Sequence, residues 1–132
     1  MKKLSLVIAL VLSLTSLSYA ARIHPEEYYV NWWCSMYGCE QEYTMPDQTR
    51  CDCFLWNLWT IEFDFADKWY EAIGQALHYG GQIHAMPGIV LIIEDQEKDM
   101  KYWERLLAVV AKFQLPMQLW VIYVDSNGTP YL

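Results

Sequence analysis

Positive charge is scarce in this chain: Lys and Arg number 9 against 16 Asp and Glu, for a formal net charge of −7. That balance argues against loose electrostatic binding to nucleic acid or anionic lipid, so any such function has to be built at a local site. The few cations after the first residues (Arg50, Lys68, Lys98, Lys101, Arg105 and Lys112) read as scattered. Glycine and proline are also sparse, at 6 and 5, and no repeat, low-complexity tract or linker divides the chain. Past residue 20 no apolar run is long enough to span a bilayer. There is no His-x3-His pair and no Ser-His-Asp pattern, and Gly80-Gly81 lacks the context of a phosphate loop. Of the three histidines, His24 is expected to be mobile near the mature N-terminus, His78 can face either way, and His84 falls in a loop.

The first twenty residues, MKKLSLVIALVLSLTSLSYA, carry two lysines, an apolar stretch and a small-residue end at Ser18-Tyr19-Ala20. This is the pattern of a secretory signal peptide, too short and wrongly flanked for a membrane anchor. No cysteine ends the apolar stretch, so no lipid-anchored form and no stable membrane association are expected. Residues 21–132 then form one exported domain, periplasmic or secreted, of about 110 residues, enough for one core and not two. Removing Lys2 and Lys3 leaves it more negative still.

Four cysteines, Cys34, Cys39, Cys51 and Cys53, fall within twenty residues. An even number in an exported chain points to disulfides; a zinc cluster is the alternative, but C-x4-C and C-x-C arms fit the usual C-x2-C knuckles poorly. Cys51 and Cys53 share one face of an extended segment, and Asp52 points the other way. The expected pairs are Cys34–Cys53 and Cys39–Cys51, with the end of a helix and its turn-side neighbour nesting against a hairpin.

PEEYYVNWWCSMYG, from Pro25 to Gly38, reads as a helix: proline in its first turn, Glu26 and Glu27 suited to its dipole, glycine at its stop. EQEYTM, RCDCFL and TIEFDF read as three strands of a meander, with PDQT as the first turn. In the third, Ile61, Phe63 and Phe65 take one face and Glu62 and Asp64 the other. A helix is expected from Ala66 to Tyr79, packing through Trp69, Ile73, Ala76 and Leu77 and halted by Gly80-Gly81. GIVLIIE is a strand covered on both faces. Lys98 to Phe113 is an amphipathic helix with Trp103, Leu106, Leu107, Val110 and Phe113 as its buried stripe, and QLWVIYVD is a last strand ended by Ser126-Asn127-Gly128. The order α-β-β-β-α-β-α-β predicts an α/β (α+β) fold of three layers around a mixed central sheet.

The polar residues concentrate between Thr60 and Gly80. Glu62 and Asp64 project from one strand face, a spacing that lets two carboxylates share a hard cation. Asp52 can join them from the neighbouring strand. On the following helix Lys68, Glu71, Gln75 and Tyr79 recur at intervals of three, four and four and form one stripe over the acids. Carboxylates hold Mg²⁺ or Mn²⁺; a nearby lysine and phenol suit water activation and stabilisation of an anionic transition state. Taken singly, each has a plainer explanation: a solvated strand face, a helix-surface pair, a half-buried packing tyrosine. Trp32, Trp33, Trp56 and Trp59 are available either for the core or for stacking on a substrate.

The element order and these residues together resemble the PD-(D/E)XK nuclease superfamily, in its RecB-like branch with a Q-x-x-x-Y helix motif. The positions that match are Glu42, Asp52 in RCDCFL, Glu62 in IEFDF, and Gln75 and Tyr79 in QALHY. EFDFADKWYEAIGQALHYG with PGIVLI is also similar to a family of small exported bacterial proteins of unassigned function; the likeness covers roughly residues 31–94. The resemblance implies a restriction-endonuclease-like core, Mg²⁺ or Mn²⁺ on Asp52, Glu62 and Asp64, and a nucleic-acid substrate. One departure stands out: Asp64 occupies the place of the motif lysine, and Lys68 is its nearest replacement. The competing reading is a catalytically inactive exported module on the same fold that binds a protein partner.

Overall fold

The computed structural model describes residues 21–132; the signal-peptide expectation lies outside the described residues. Helix α1 (Glu26–Tyr37) is followed by β1 (Glu40–Thr44), β2 (Arg50–Leu55) and β3 (Trp59–Phe65). A 3₁₀ turn (Ala66–Lys68) leads into α2 (Trp69–Gln82), then β4 (Met86–Ile93), α3 (Gln96–Lys112), β5 (Gln118–Val124) and a short β6 (Pro130–Tyr131). The six strands form one sheet in chain order. β1, β2 and β3 are antiparallel, β3–β4 and β4–β5 parallel, and β6 returns antiparallel on β5. The expected order and mixed sheet are present, with β6 as an addition beyond Gly128.

Local chemistry accounts for most element ends. Pro25 stands at the N-cap of α1 and Gly38 closes it at φ 69°, a left-handed conformation that glycine adopts without steric cost. Asp95 caps α3 by accepting from the Lys98 amide. Two expectations fail. Gly80-Gly81 does not stop α2, which runs on to Gln82. At Gly80 a Cβ would lie 3.0–3.2 Å from Pro87, so the missing side chain lets helix and β4 approach closely. On α3 Leu106 is buried and Val110 and Trp103 pack beside it, but Leu107 and Phe113 are 42% and 69% exposed.

The sheet separates two cores. On one face Tyr29, Val30 and Trp33 of α1 meet Leu55, Ile61, Phe63, Val90 and Ile122. On the other, Ala72 and Ala76 of α2 and Leu106 of α3 cover Ile89, Leu91 and Ile93. β4 is buried from Pro87 to Ile93, as its uninterrupted apolar run requires. The segment before α1 is tied down rather than mobile. Glu94 accepts from the Tyr29 hydroxyl at 2.7 Å and from the Ile23 and His24 amides, and the His24 ring stacks on Tyr28. Among the described residues no helix is long and apolar enough to cross a membrane.

Candidate functional site

Among the described residues the buried polar side chains are Thr60, Glu62 and Asp64, all on one face of β3. They lie where the sheet opens. β2 pairs with β3 from Leu55↔Trp59 to Cys53↔Ile61 and no further. On its other edge the ladder runs Gln41↔Cys53 and Tyr43↔Cys51, skipping the residues between, and Glu42 there has a left-handed backbone at φ 51°. Asp52 therefore has no ladder partner on either side.

Side chains take over the missing ladder bonds. The Asp52 amide donates to Glu62 Oε1 at 3.2 Å, and the Phe63 amide donates to Asp52 Oδ2 at 2.8 Å. The Phe65 amide donates to Asp64 Oδ1 at 3.0 Å. Each acid is thus oriented by a backbone amide, and Asp52 and Glu62 are also hydrogen-bonded to each other. Buried backbone amides need acceptors, so these bonds fix the carboxylates as firmly as a ladder fixes a strand.

Electrostatics tie Glu26, Lys68 and Tyr79 to this point. Burial pushes the Glu62 carboxyl well above its usual range, followed by the charge of Asp52. Burial likewise raises Asp52, whose hydrogen bond with Glu62 favours ionised Asp52 and protonated Glu62. Without a cation the two acids hold one proton between them. Glu26, in the first turn of α1, is raised to about 7 by burial and then by the charges of Asp52 and Asp64. Asp64 is raised to about 6, again mainly by burial, while the Lys68 ammonium pulls both Asp64 and Glu26 back down. Tyr79 is raised by burial and by the nearby Glu62 and Asp52. Arg22 lies 3.9 Å over the Phe65 ring and pairs with Asp67 at 2.7 Å, beside the same turn.

Asp52 and Glu62 are in direct contact and Asp64 follows on the same strand face, with Lys68 and Tyr79 within electrostatic reach. Among the described residues, however, the three-residue set whose ligand atoms lie within 4.8 Å of one another is Cys34, Cys39 and Cys53 and not these acids. Gln75 is exposed on α2, one turn before Tyr79. Glu42 is exposed on β1, across the strand pair from Asp52, whose carboxyl is raised by burial and then by the Glu42 charge. Glu26, read from the sequence as serving the helix dipole alone, also acts on this cluster. Its signal was available in the acidic first turn of a helix packed against the strand bearing Asp52, but no local spacing connects residues 26 and 52. Trp33 is core, whereas Trp56 is 58% exposed at the far end of the β2–β3 hairpin, away from the acids. His78 faces the β1–β2 turn, with Nε2 2.8 Å from Asp47.

The cysteine pairing is also corrected. Cys34 bonds Cys39 five residues on, with Cα atoms 5.1 Å apart, and Cys51 and Cys53 are free and buried. A short crossing from the end of α1 to the start of β1 puts Cys39 nearer to Cys34 than either strand cysteine. The sulfurs of Cys34, Cys39 and Cys53 lie within 4.8 Å of one another, and burial pushes the free Cys51 thiol up to about 12 and raises Cys53 as well. These soft donors sit on the α1 face of β2, opposite Asp52. Comparison with protein-family models, with curated proteins and with solved structures gives no match in any of the three.

Proposed function

We propose that this protein is an exported, divalent-metal-dependent phosphodiester hydrolase of the nuclease type, on a PD-(D/E)XK-like core. The observation that carries the reading is the burial of Glu62 and Asp64 on one face of β3, with Asp52, Glu26 and Lys68 gathered around them. Packing alone does not favour such a set, because like charges taken from water raise one another's free energy. A bound cation offsets that cost. The donors are all carboxylate oxygens, which suits Mg²⁺ or Mn²⁺ and not a soft metal. Asp52, Glu62 and Asp64 would hold the ion, which supplies charge neutralisation for a phosphate and a more acidic water.

The chain's own groups account for the rest. Glu26 titrates near neutral pH and is suited to take up or release a proton at its free carboxyl oxygen. The Lys68 ammonium, placed by the 3₁₀ turn, stabilises charge growing on phosphoryl oxygens and stands in for the lysine that Asp64 displaces from the strand. Tyr79 orients the site from α2, and Gln75 contacts substrate at the rim. The test is cleavage of single- and double-stranded DNA and RNA with Mg²⁺ or Mn²⁺. Metal-dependent cleavage that falls on the order of 10²-fold or more in Lys68→Met, with metal binding retained, is the expected result. Metal binding with no cleavage of any of the four would favour the inactive binding module, as the acidic balance of the chain already does.

A further inference from the structure

Four cations that look scattered in the sequence line up in the fold. Lys98, Lys101, Arg105 and Lys112 are spaced three, four and seven residues apart on α3, which returns each to one face of the helix. All four are exposed. The stripe runs for about 21 Å at 1.5 Å per residue, several phosphate spacings of an extended strand. Glu97 and Glu104 flank it on one side, and Asp95 pairs with Lys98 at 3.3 Å. Tyr102 lies beside it, with Lys101 and Arg105 at 5.0 and 5.4 Å from its ring, and exposed Phe113 follows its last cation.

α3 packs on the Ala66–Lys68 turn through the side that carries Asp99, which feels Asp67 and Arg22. The stripe lies on the solvent-facing side of the helix, turned away from buried Leu106. A line of cations ending in an exposed aromatic suits a single strand, whose phosphates meet the charges and whose bases stack on Phe113, while Tyr102 packs on the core beneath Lys101 and Arg105. An anionic membrane would be met by the same charges, but the acids flanking the stripe would face the lipid as well.

We propose that this face of α3 is a track that holds a single-stranded nucleic acid, making the substrate a polymer and not a free nucleotide. The substrate assignment rests on the nuclease reading; the binding does not. Fluorescence anisotropy of a labelled oligothymidylate, with EDTA present to prevent cleavage, measures it directly. Affinity should fall as salt rises. Replacing all four cations by glutamine should weaken binding and flatten the log–log salt slope by roughly 0.7 per lost phosphate contact, up to about 3 in all. All four side chains are exposed, so the thermal midpoint of the variant should match the parent and exclude misfolding. An unchanged isotherm and slope in the variant, no binding by the parent, or binding to phosphatidylserine vesicles in place of the oligonucleotide would overturn the proposal. An oligonucleotide that is held by the stripe but not cut when Mg²⁺ or Mn²⁺ is supplied would overturn the nuclease reading and leave the track standing.

Discussion

The two faces of β3 are made from alternate residues of one seven-residue strand, and both are buried, yet they are opposites. Ile61, Phe63 and Phe65 meet α1 through Tyr29 and Trp33, in a core where every contact lowers the free energy of the fold. Thr60, Glu62 and Asp64 are equally hidden but polar, and the acids among them are forced toward their protonated forms. Burial alone therefore says little about a residue's purpose. Burial against the chemistry of the side chain says much more, because an acid kept where water is excluded costs stability unless something else balances it.

The contrast can be broken most forcefully on its apolar side. Phe63→Ala should destabilise the protein by about 3–5 kcal/mol, read by urea unfolding, because Trp33 and its neighbours cannot close the space left. On the polar side that cost is absent. Glu62→Leu should eliminate divalent-metal binding while leaving the metal-free thermal midpoint little changed, since removal of a desolvated carboxyl offsets the loss of the acceptor for the Asp52 amide. A marked loss of stability in that variant would make Glu62 a structural residue.

The pH dependence sharpens the same comparison. Glu26 is raised from 4.5 to about 7 and Asp64 from 3.8 to about 6. Over those windows the folded chain binds more protons than the unfolded one, so stability falls as pH rises through them, and Glu62, pushed up to about 9, extends the fall. Metal-free protein should be more stable near pH 5 than near pH 8, by on the order of 1–2 kcal/mol once solvent screening is allowed for. Excess Mg²⁺ or Mn²⁺ should shrink the difference, and a profile rising over the same interval would contradict the buried-acid account. The smallest effects separate Glu26 of α1 from Glu42 of β1. Glu26→Gln should weaken Mn²⁺ binding about tenfold, a coupling of about 1.4 kcal/mol, whereas exposed Glu42→Gln should change it by less than about twofold.

Much of this was legible in the chain because it depends on short-range patterns. Alternation in TIEFDF separated the two faces of β3, the run GIVLIIE marked β4 as covered on both sides, and Pro25 and Gly38 delimited α1. Asp52, Glu62 and Asp64 were readable from their places on adjacent strands. What escaped was set by the path of the chain in space. Glu26 comes within electrostatic reach of Asp52 only because α1 packs against β2 and β3. Cys39 takes Cys34 in preference to a strand cysteine because one tight turn joins α1 to β1. Gly80-Gly81 reads as a helix stop until Pro87 of β4 is seen to need the space. The stripe on α3 was within reach of a helical projection, but overall acidity drew attention away from it.

The central claim is that the buried face of β3 is a metal site, and isothermal titration of the oxidised protein with Mn²⁺, beside its Glu62→Ala variant, tests it most directly. Saturable binding by the parent that vanishes in a variant with an intact cooperative melt is the result this account predicts. Absence of binding by the parent, or equal binding by both proteins, would contradict it.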